Sequence, residues 1–325
     1  MDRILGVGNA LVDALYRVED ESSLHRFALK RGGMTLIDGD ALADIASAME
    51  GTTKSRTTGG SACNTILALA RLGASVGVVG KINKGDENGR FFEQQFREAG
   101  VETFLIDHAL PTGVASTFIT PDGERTFATC LGAAATLEAE EFDANLLADY
   151  SYLYIEGYLV QNHALMRHLI SAAKRQGLKV CIDLASYNVV EDNRDFFLQT
   201  LKDIDIVFAN EEEARALTRC EVDEAVDVLA SMCPLAVVKV GAEGALARCG
   251  EEMVRVPCGD AATVVDKTAA GDYFAAGFLY AHSLRLPLST CLEVGTILAN
   301  EIVQVVGTRL DDDRWTRVRR KVAGL

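Results

Sequence analysis

The chain has 325 residues, 49% hydrophobic and 24% charged, with only five prolines; this is enough apolar material for a sizeable core and excludes a disordered, collagen-like or low-complexity chain. Thirty-two Lys and Arg against 47 Asp and Glu leave a net charge of −15, so the surface repels nucleic-acid phosphates and anionic lipid, and an anionic ligand must be held by local donors. No apolar stretch approaches the ~20 residues needed to cross a bilayer, and the segment after Met1 lacks a basic region, a long apolar run and a cleavage site, so a cytoplasmic protein that binds neither membrane nor nucleic acid is expected.

In chain order, short buried-looking strands are predicted at 4–7, 75–79, 152–155, 180–183, 206–209 and 235–240, separated by amphipathic helices at 61–72, 86–99, 164–176, 194–201, 211–217 and 222–232. Gly73, Gly100 and Gly177 close three of these helices. This alternation specifies an α/β, doubly wound, mainly parallel sheet flanked by helices. Two segments break it. Residues 112–129 read as a hairpin around Pro121-Asp122-Gly123, and 11–38 is irregular. Both are expected to leave the main sheet as a small β lid, roughly 11–38 and 104–130, inserted into a single domain spanning 1–325; the rival reading makes them edge strands with no gating role. After Val256 the pattern turns helical (270–283, 287–306, 314–321), and the basic run from Arg314 to Lys321 reads as a solvated helix face.

The eight cysteines are dispersed without Cys-x-x-Cys pairs, and the five histidines form no metal-binding spacing, so free thiols and ordinary packing residues are expected. Two motifs carry chemistry. In Asp266-Lys267-Thr268-Ala269-Ala270-Gly271-Asp272, small residues lead directly into an apolar helix. The backbone at Ala269, Ala270 and Gly271 can approach an anion at the helix N-terminus, and Asp272 in the first turn is placed to accept a proton from an attacking hydroxyl. The bland alternative is a helix cap. In Gly59-Gly60-Ser61-Ala62-Cys63-Asn64, a glycine pair before a helix lets backbone come close to a polyol, with Asn64 able both to donate and to accept. Alone, that pair is equally a packing turn.

Together, in this order and about two hundred residues apart, the two motifs resemble the PfkB carbohydrate kinases, the ribokinase-like fold, over nearly the whole chain. Gly123-Glu124-Arg125-Thr126, Leu131-Gly132-Ala133-Ala134 and Glu156-Gly157-Tyr158-Leu159 are similar to the adenosine-kinase-like branch. The resemblance implies a kinase that uses ATP and Mg²⁺ to phosphorylate a hydroxymethyl group of a sugar or nucleoside. Asp272 would be the base and the 269–271 backbone the anion hole. The resemblance implies Asp13, Gly59, Gly60, Asn64 and Glu156 at the acceptor. It implies Asn210, Lys239, Gly241, Gly244 and Asn300 at the nucleotide, Glu213 near Mg²⁺ through water, and a monovalent cation, K⁺, beside Asp266 and Thr268. Arg125 either closes over the acceptor or is a solvent-exposed hairpin arginine. The resemblance leaves the choice of acceptor open, and a lid strand serves equally in a monomer or at a homodimer interface.

Two departures stand out. Lys267 and Ala269 replace family residues; Ala269 is harmless only at negative φ, and Lys267 is expected to point to solvent. A dinucleotide oxidoreductase is disfavoured, because Gly6-Val7-Gly8 is followed by Leu11 where the fingerprint needs a third small residue. No P-loop sequence occurs. A catalytically silent sugar- or nucleoside-binding regulator on the same fold is the rival from another class.

Overall fold

The computed structural model describes residues 2–52, 54–122, 124–259 and 263–325. In chain order its strands are β1 (Ile4–Val7), β2 (Leu11–Arg17), β3 (Met34–Leu36), β4 (Lys54–Gly59), β5 (Val76–Ile82), β6 (Glu102–Asp107), β7 (Thr112–Ile119), β8 (Arg125–Gly132), β9 (Tyr152–Glu156), β10 (Lys179–Asp183), β11 (Ile206–Asn210), β12 (Leu235–Lys239), β13 (Ala245–Cys249) and β14 (Glu252–Val256). Nine form one sheet in the order β14-β13-β12-β11-β10-β9-β1-β5-β6, parallel from β12 to β6 and antiparallel only at the β12–β13–β14 end.

The apolar runs of the central strands follow from burial on both faces. Tyr152 and Tyr154 of β9, with Ile206 and Phe208 of β11, pack on one side against the helices Ser61–Leu72, Ala270–Ser283 and Leu288–Ile302. Leu153, Ile155, Val207 and Ala209 point to the opposite core, covered by His163–Arg175, Arg194–Thr200, Glu211–Thr218 and Val222–Met232. The result is a three-layer ribokinase-like α/β fold. Parallel strands place all their carboxyl ends at one edge, where Glu156, Asp183, Asn210 and Lys239 terminate β9 to β12.

The other five strands make a separate sheet, β3-β8-β7-β2-β4. They are therefore not edge strands of the main sheet. The outer face has its own small core of Ala14, Tyr16, Leu24, Ile45, Val114, Phe118 and Ala128, to which the short helices Ser22–Arg26 and Gly39–Ala48 contribute. The inner face presents Leu11 and Asp13 of β2 and Phe127, Thr129 and Leu131 of β8 to a cavity, every second residue, as the pleat requires.

The lid boundaries differ from those expected. Residues 102–107, at the start of the expected 104–130 segment, pair with β5 as the last strand of the main sheet, so the second lid segment begins at Thr112. Lys54–Gly59, outside the expected lid, joins it by pairing with β2. The β7–β8 hairpin forms as expected, although Gly123 in its turn lies outside the described residues. The C-terminal helix Asp312–Val322 is more than a solvated face, because Arg314, Arg317 and Lys321 converge on the buried Glu301.

Candidate active site

Two helices that start from the two motifs meet at their N-termini. Ser61 Oγ donates to Asp272 Oδ1 at 2.7 Å, Asn64 Nδ2 donates to Asp272 Oδ2 at 2.9 Å, and Thr65 Oγ1 donates to the Asp272 carbonyl at 3.2 Å. Residues 207 to 211 positions apart thus share one point, where the positive ends of two helix dipoles also converge. Gly60 makes the approach possible: its φ is +94°, and a side chain there would run into the Asn9 carbonyl.

Asp272 is half-buried, and burial pushes its carboxyl up to about 6 against the pull of the Ser61 and Asn64 hydrogen bonds. The group is therefore ionised at neutral pH yet more basic than an ordinary aspartate, as a general base requires. Asn64 Oδ1 is buried with no partner among the described residues, an unsatisfied acceptor beside Asp272.

In the cradle, Ala270 N–H donates to the Lys267 carbonyl at 3.2 Å, and Tyr273 is the first residue to bond back helically, to the Ala269 carbonyl at 2.9 Å. One of the three expected amides is thus engaged in a turn. Gly271 and Asp272 carry the N–H groups that precede the helical ladder. A side-chain carbon on Gly271 would lie 3.1 Å from Lys239 Nζ, so that ammonium sits directly against the cradle. Lys239 is paired with Asp183 at 2.7 Å. Burial works against its charge, but Asp183 and Glu213 outweigh it and hold its pKa above the usual lysine value.

Ala269 adopts φ +61°, in the left-handed region, so the condition under which its replacement of glycine is harmless is not met. Lys267 is exposed, as expected, at the cavity rim.

Asp13, Gly60, Asn64, Glu156, Asn210, Glu213, Lys239, Gly241, Gly244, Thr268 to Asp272 and Asn300 all line one cavity of about 1720 Å³. Burial pushes Asp13 to about 7, with Arg309 and Arg125 pulling it back. Burial likewise pushes Glu156 to about 7, against hydrogen bonds from Ala62 N–H (3.0 Å) and from the backbone and side chain of Asn9. Glu156 acts inward, tying the end of β9 to the start of the Ser61 helix. Asn210 and Glu213 form a reciprocal capping box: Asn210 N–H and Nδ2 donate to Glu213 at 2.7 Å each, and Glu213 N–H donates to Asn210 Oδ1 at 2.8 Å. Burial raises the Glu213 carboxyl. Asn300 pairs with Cys258, accepting from its Sγ at 3.0 Å and donating to its carbonyl.

Three expected site residues do not line the cavity. Gly59 lies behind Gly60 against the Asp13 carboxylate. Arg125 is not the solvent-exposed arginine of one reading: it is 8% exposed and pairs with Asp266 at 2.6 Å. Asp266 accepts from Thr268 N–H at 3.0 Å and Gly307 N–H at 2.8 Å in addition. Three of its about four lone-pair sites are thus filled, one of them by the guanidinium.

Ser61 and Asp183 were not anticipated. Ser61 resembles an ordinary first-turn serine, and Asp183 simply ends a strand; only the strand's place beside β9 and β11 signals it. The lid adds Met34, Leu36, Phe127 and Leu131 to the cavity wall.

Among the described residues, no helix is long and apolar enough to cross a membrane. The model of the pfkB family of carbohydrate kinases matches residues 32–315. An adenosine kinase structure from Sinorhizobium meliloti is 33% identical, covers 98% of this chain and 99% of its own, and superposes with a TM-score of 0.89. A probable sugar kinase from Rhizobium etli CFN 42 is 31% identical over 98% of each chain, also with a TM-score of 0.89. A 5-dehydro-2-deoxygluconokinase from Halalkalibacterium halodurans is 29% identical over 87% of this chain and 90% of its own. These relatives carry the names of sugar and nucleoside kinases, which makes the chain a phosphotransferase acting on an alcohol group; a kinase family implies ATP as the donor. The chain belongs to the pfkB family of carbohydrate kinases.

Proposed function

We propose that the protein transfers the γ-phosphoryl group of Mg-ATP to the hydroxymethyl group of a nucleoside. The observation that carries this reading is convergence: the Asp272 carboxylate, the Gly271 and Asp272 amides and the Gly60–Asn64 pocket all face one cavity. Phosphoryl transfer needs little covalent chemistry from a protein beyond positioning and charge stabilisation.

Asp13, the Gly60 backbone and Asn64 hold the acceptor's hydroxyls. Asp272 takes the proton of the attacking hydroxyl, while Ser61 and Asn64 fix its orientation. The Gly271 and Asp272 amides and Lys239 stabilise the negative charge of the moving phosphoryl. Asn210, Gly241, Gly244 and Asn300 line the nucleotide side.

The acidic residues Asp183, Glu211, Glu212 and Glu213 line the cavity near these groups. Among the described residues no three of them cluster as a metal site, which suits Mg²⁺ only as an ion that keeps most of its water and binds through one or two carboxylates plus phosphate oxygens. Glu213 and Asp183 would hold the hydrated ion, which neutralises phosphate charge when bound. The strands β2, β3, β4, β7 and β8 act as the lid.

The apolar lid favours a nucleoside over a free sugar. Met34 and Leu36 are 44% and 57% exposed, and with Phe127 and Leu131 they offer a wall that a polyol does not need and a heteroaromatic base does. The similarity to adenosine kinase from Sinorhizobium meliloti supports the same class. The test is ADP release from Mg-ATP across adenosine, inosine, guanosine, ribose, fructose and 2-keto-3-deoxygluconate. Release with a nucleoside and not with the sugars is expected. Release with a free sugar alone overturns the nucleoside assignment, and ligand binding without release from any acceptor establishes the regulator instead.

A further inference from the structure

The Arg125–Asp266 pair joins the lid to the loop that carries the anion cradle. Arg125 opens β8, whereas Asp266 lies six residues before the proposed base. The two side chains are 8% and 2% exposed and 2.6 Å apart. The Asp266 oxygens also receive the Thr268 and Gly307 amides, so this carboxylate orders both the loop into the cradle and the turn after the helix Leu288–Ile302. Three donors converge on this one carboxylate, and a buried carboxylate needs a counter-charge.

We infer that the Arg125 guanidinium is the resident cation of this site, replacing an alkali-metal ion and making cradle order independent of K⁺ or Na⁺. The lid strand supplies the positive charge itself. Arg125 Nε has no partner among the described residues, and the guanidinium also borders a second cavity of about 330 Å³ that includes Arg17, Thr120 and Val265. The ion pair with Asp266 is thus the contact that fixes Arg125, and the arginine is a positioning residue for the cradle.

Thermal unfolding of the whole protein in KCl, NaCl and tetramethylammonium chloride at equal ionic strength tests this without reference to turnover. The wild type should give the same Tm in all three salts. Arg125→Met should lower Tm by on the order of 10 °C in tetramethylammonium, because it strands a buried carboxylate, and should regain part of that loss in KCl or NaCl. Arg125→Met/Asp266→Asn, with no charge to neutralise, should lose the cation response. A wild-type Tm that drops when K⁺ and Na⁺ are replaced overturns the proposal. So does an Arg125→Met protein that is equally destabilised in every salt, since a purely packing role gives that result. If Arg125→Met does not fold, the wild-type comparison decides alone.

Discussion

At the residue scale, the proposed base, Asp272, is held by hydrogen bonds as well as by burial. Ser61 and Asn64 each donate to one Asp272 oxygen, opposing the rise that burial causes and leaving the carboxyl at about 6. If Asp272 removes the acceptor proton, it must be ionised. The pH profile of kcat/KM should therefore fall on the acid side with an apparent pKa near 6, and Asn64→Ala should move that limb upward by removing a donor to the charged form. An acid limb near 4, unmoved by the substitution, would contradict this assignment. Ala269 holds a left-handed conformation that costs an alanine about 1–2 kcal/mol. Ala269→Gly should therefore stabilise the protein, by about 1 kcal/mol after the extra entropy of glycine in the unfolded chain is subtracted; urea unfolding measures it. This strain was not legible in the sequence, because the identity of residue 269 says nothing about its φ.

At the element scale, legibility follows burial. Strands β9 to β12 are covered on both faces and so read as continuous apolar runs. β4 (Lys-Ser-Arg-Thr-Thr-Gly) has no such run, and only pairing with β2 makes it a strand. β13 and β14 (Ala-Leu-Ala-Arg-Cys and Glu-Met-Val-Arg-Val) likewise show no continuous apolar run over their length. No sequence feature separates β6 from the hairpin that follows it, and only its parallel pairing with β5 places it in the main sheet. The two helices that build the site were legible from their glycines and apolar periodicity. Their mutual contact, which brings Ser61 to Asp272, is tertiary and was not. The C-terminal helix gives an independent check on packing. Glu301 is 4% exposed and faces Arg314 and Arg317, both partly solvated. Glu301→Gln should cost roughly 1–2 kcal/mol, discounted for that solvation, and should leave ADP release unchanged.

At the scale of the whole molecule, the cavity concentrates carboxylates with raised proton affinity: Asp13 and Glu156 at about 7, Asp272 at about 6, and Glu213 raised as well. Each binds a proton more tightly folded than unfolded, so its contribution to stability is full below the ordinary carboxylate range and is lost as pH rises through the folded value. His282, pushed down to about 4 by burial, acts oppositely, favouring the folded state above the ordinary imidazole range and losing that contribution as pH falls. Four carboxylates outnumber one imidazole. The ligand-free Tm should accordingly rise as pH is lowered from 7 to 5, and a flat or falling Tm over that window would contradict the burial ascribed to the cavity. The same crowding explains why lysine and helix N-termini gather there, since an anionic phosphate must enter a site already rich in acids.

On the proposed function, two distant stretches of chain meet so that one carboxylate removes a proton beside an anion cradle. Steady-state turnover of Asp272→Asn, together with its affinity for ATP, tests it most directly. The account predicts turnover lower by on the order of 10²- to 10⁴-fold with nucleotide affinity largely kept. Turnover close to wild type would contradict it.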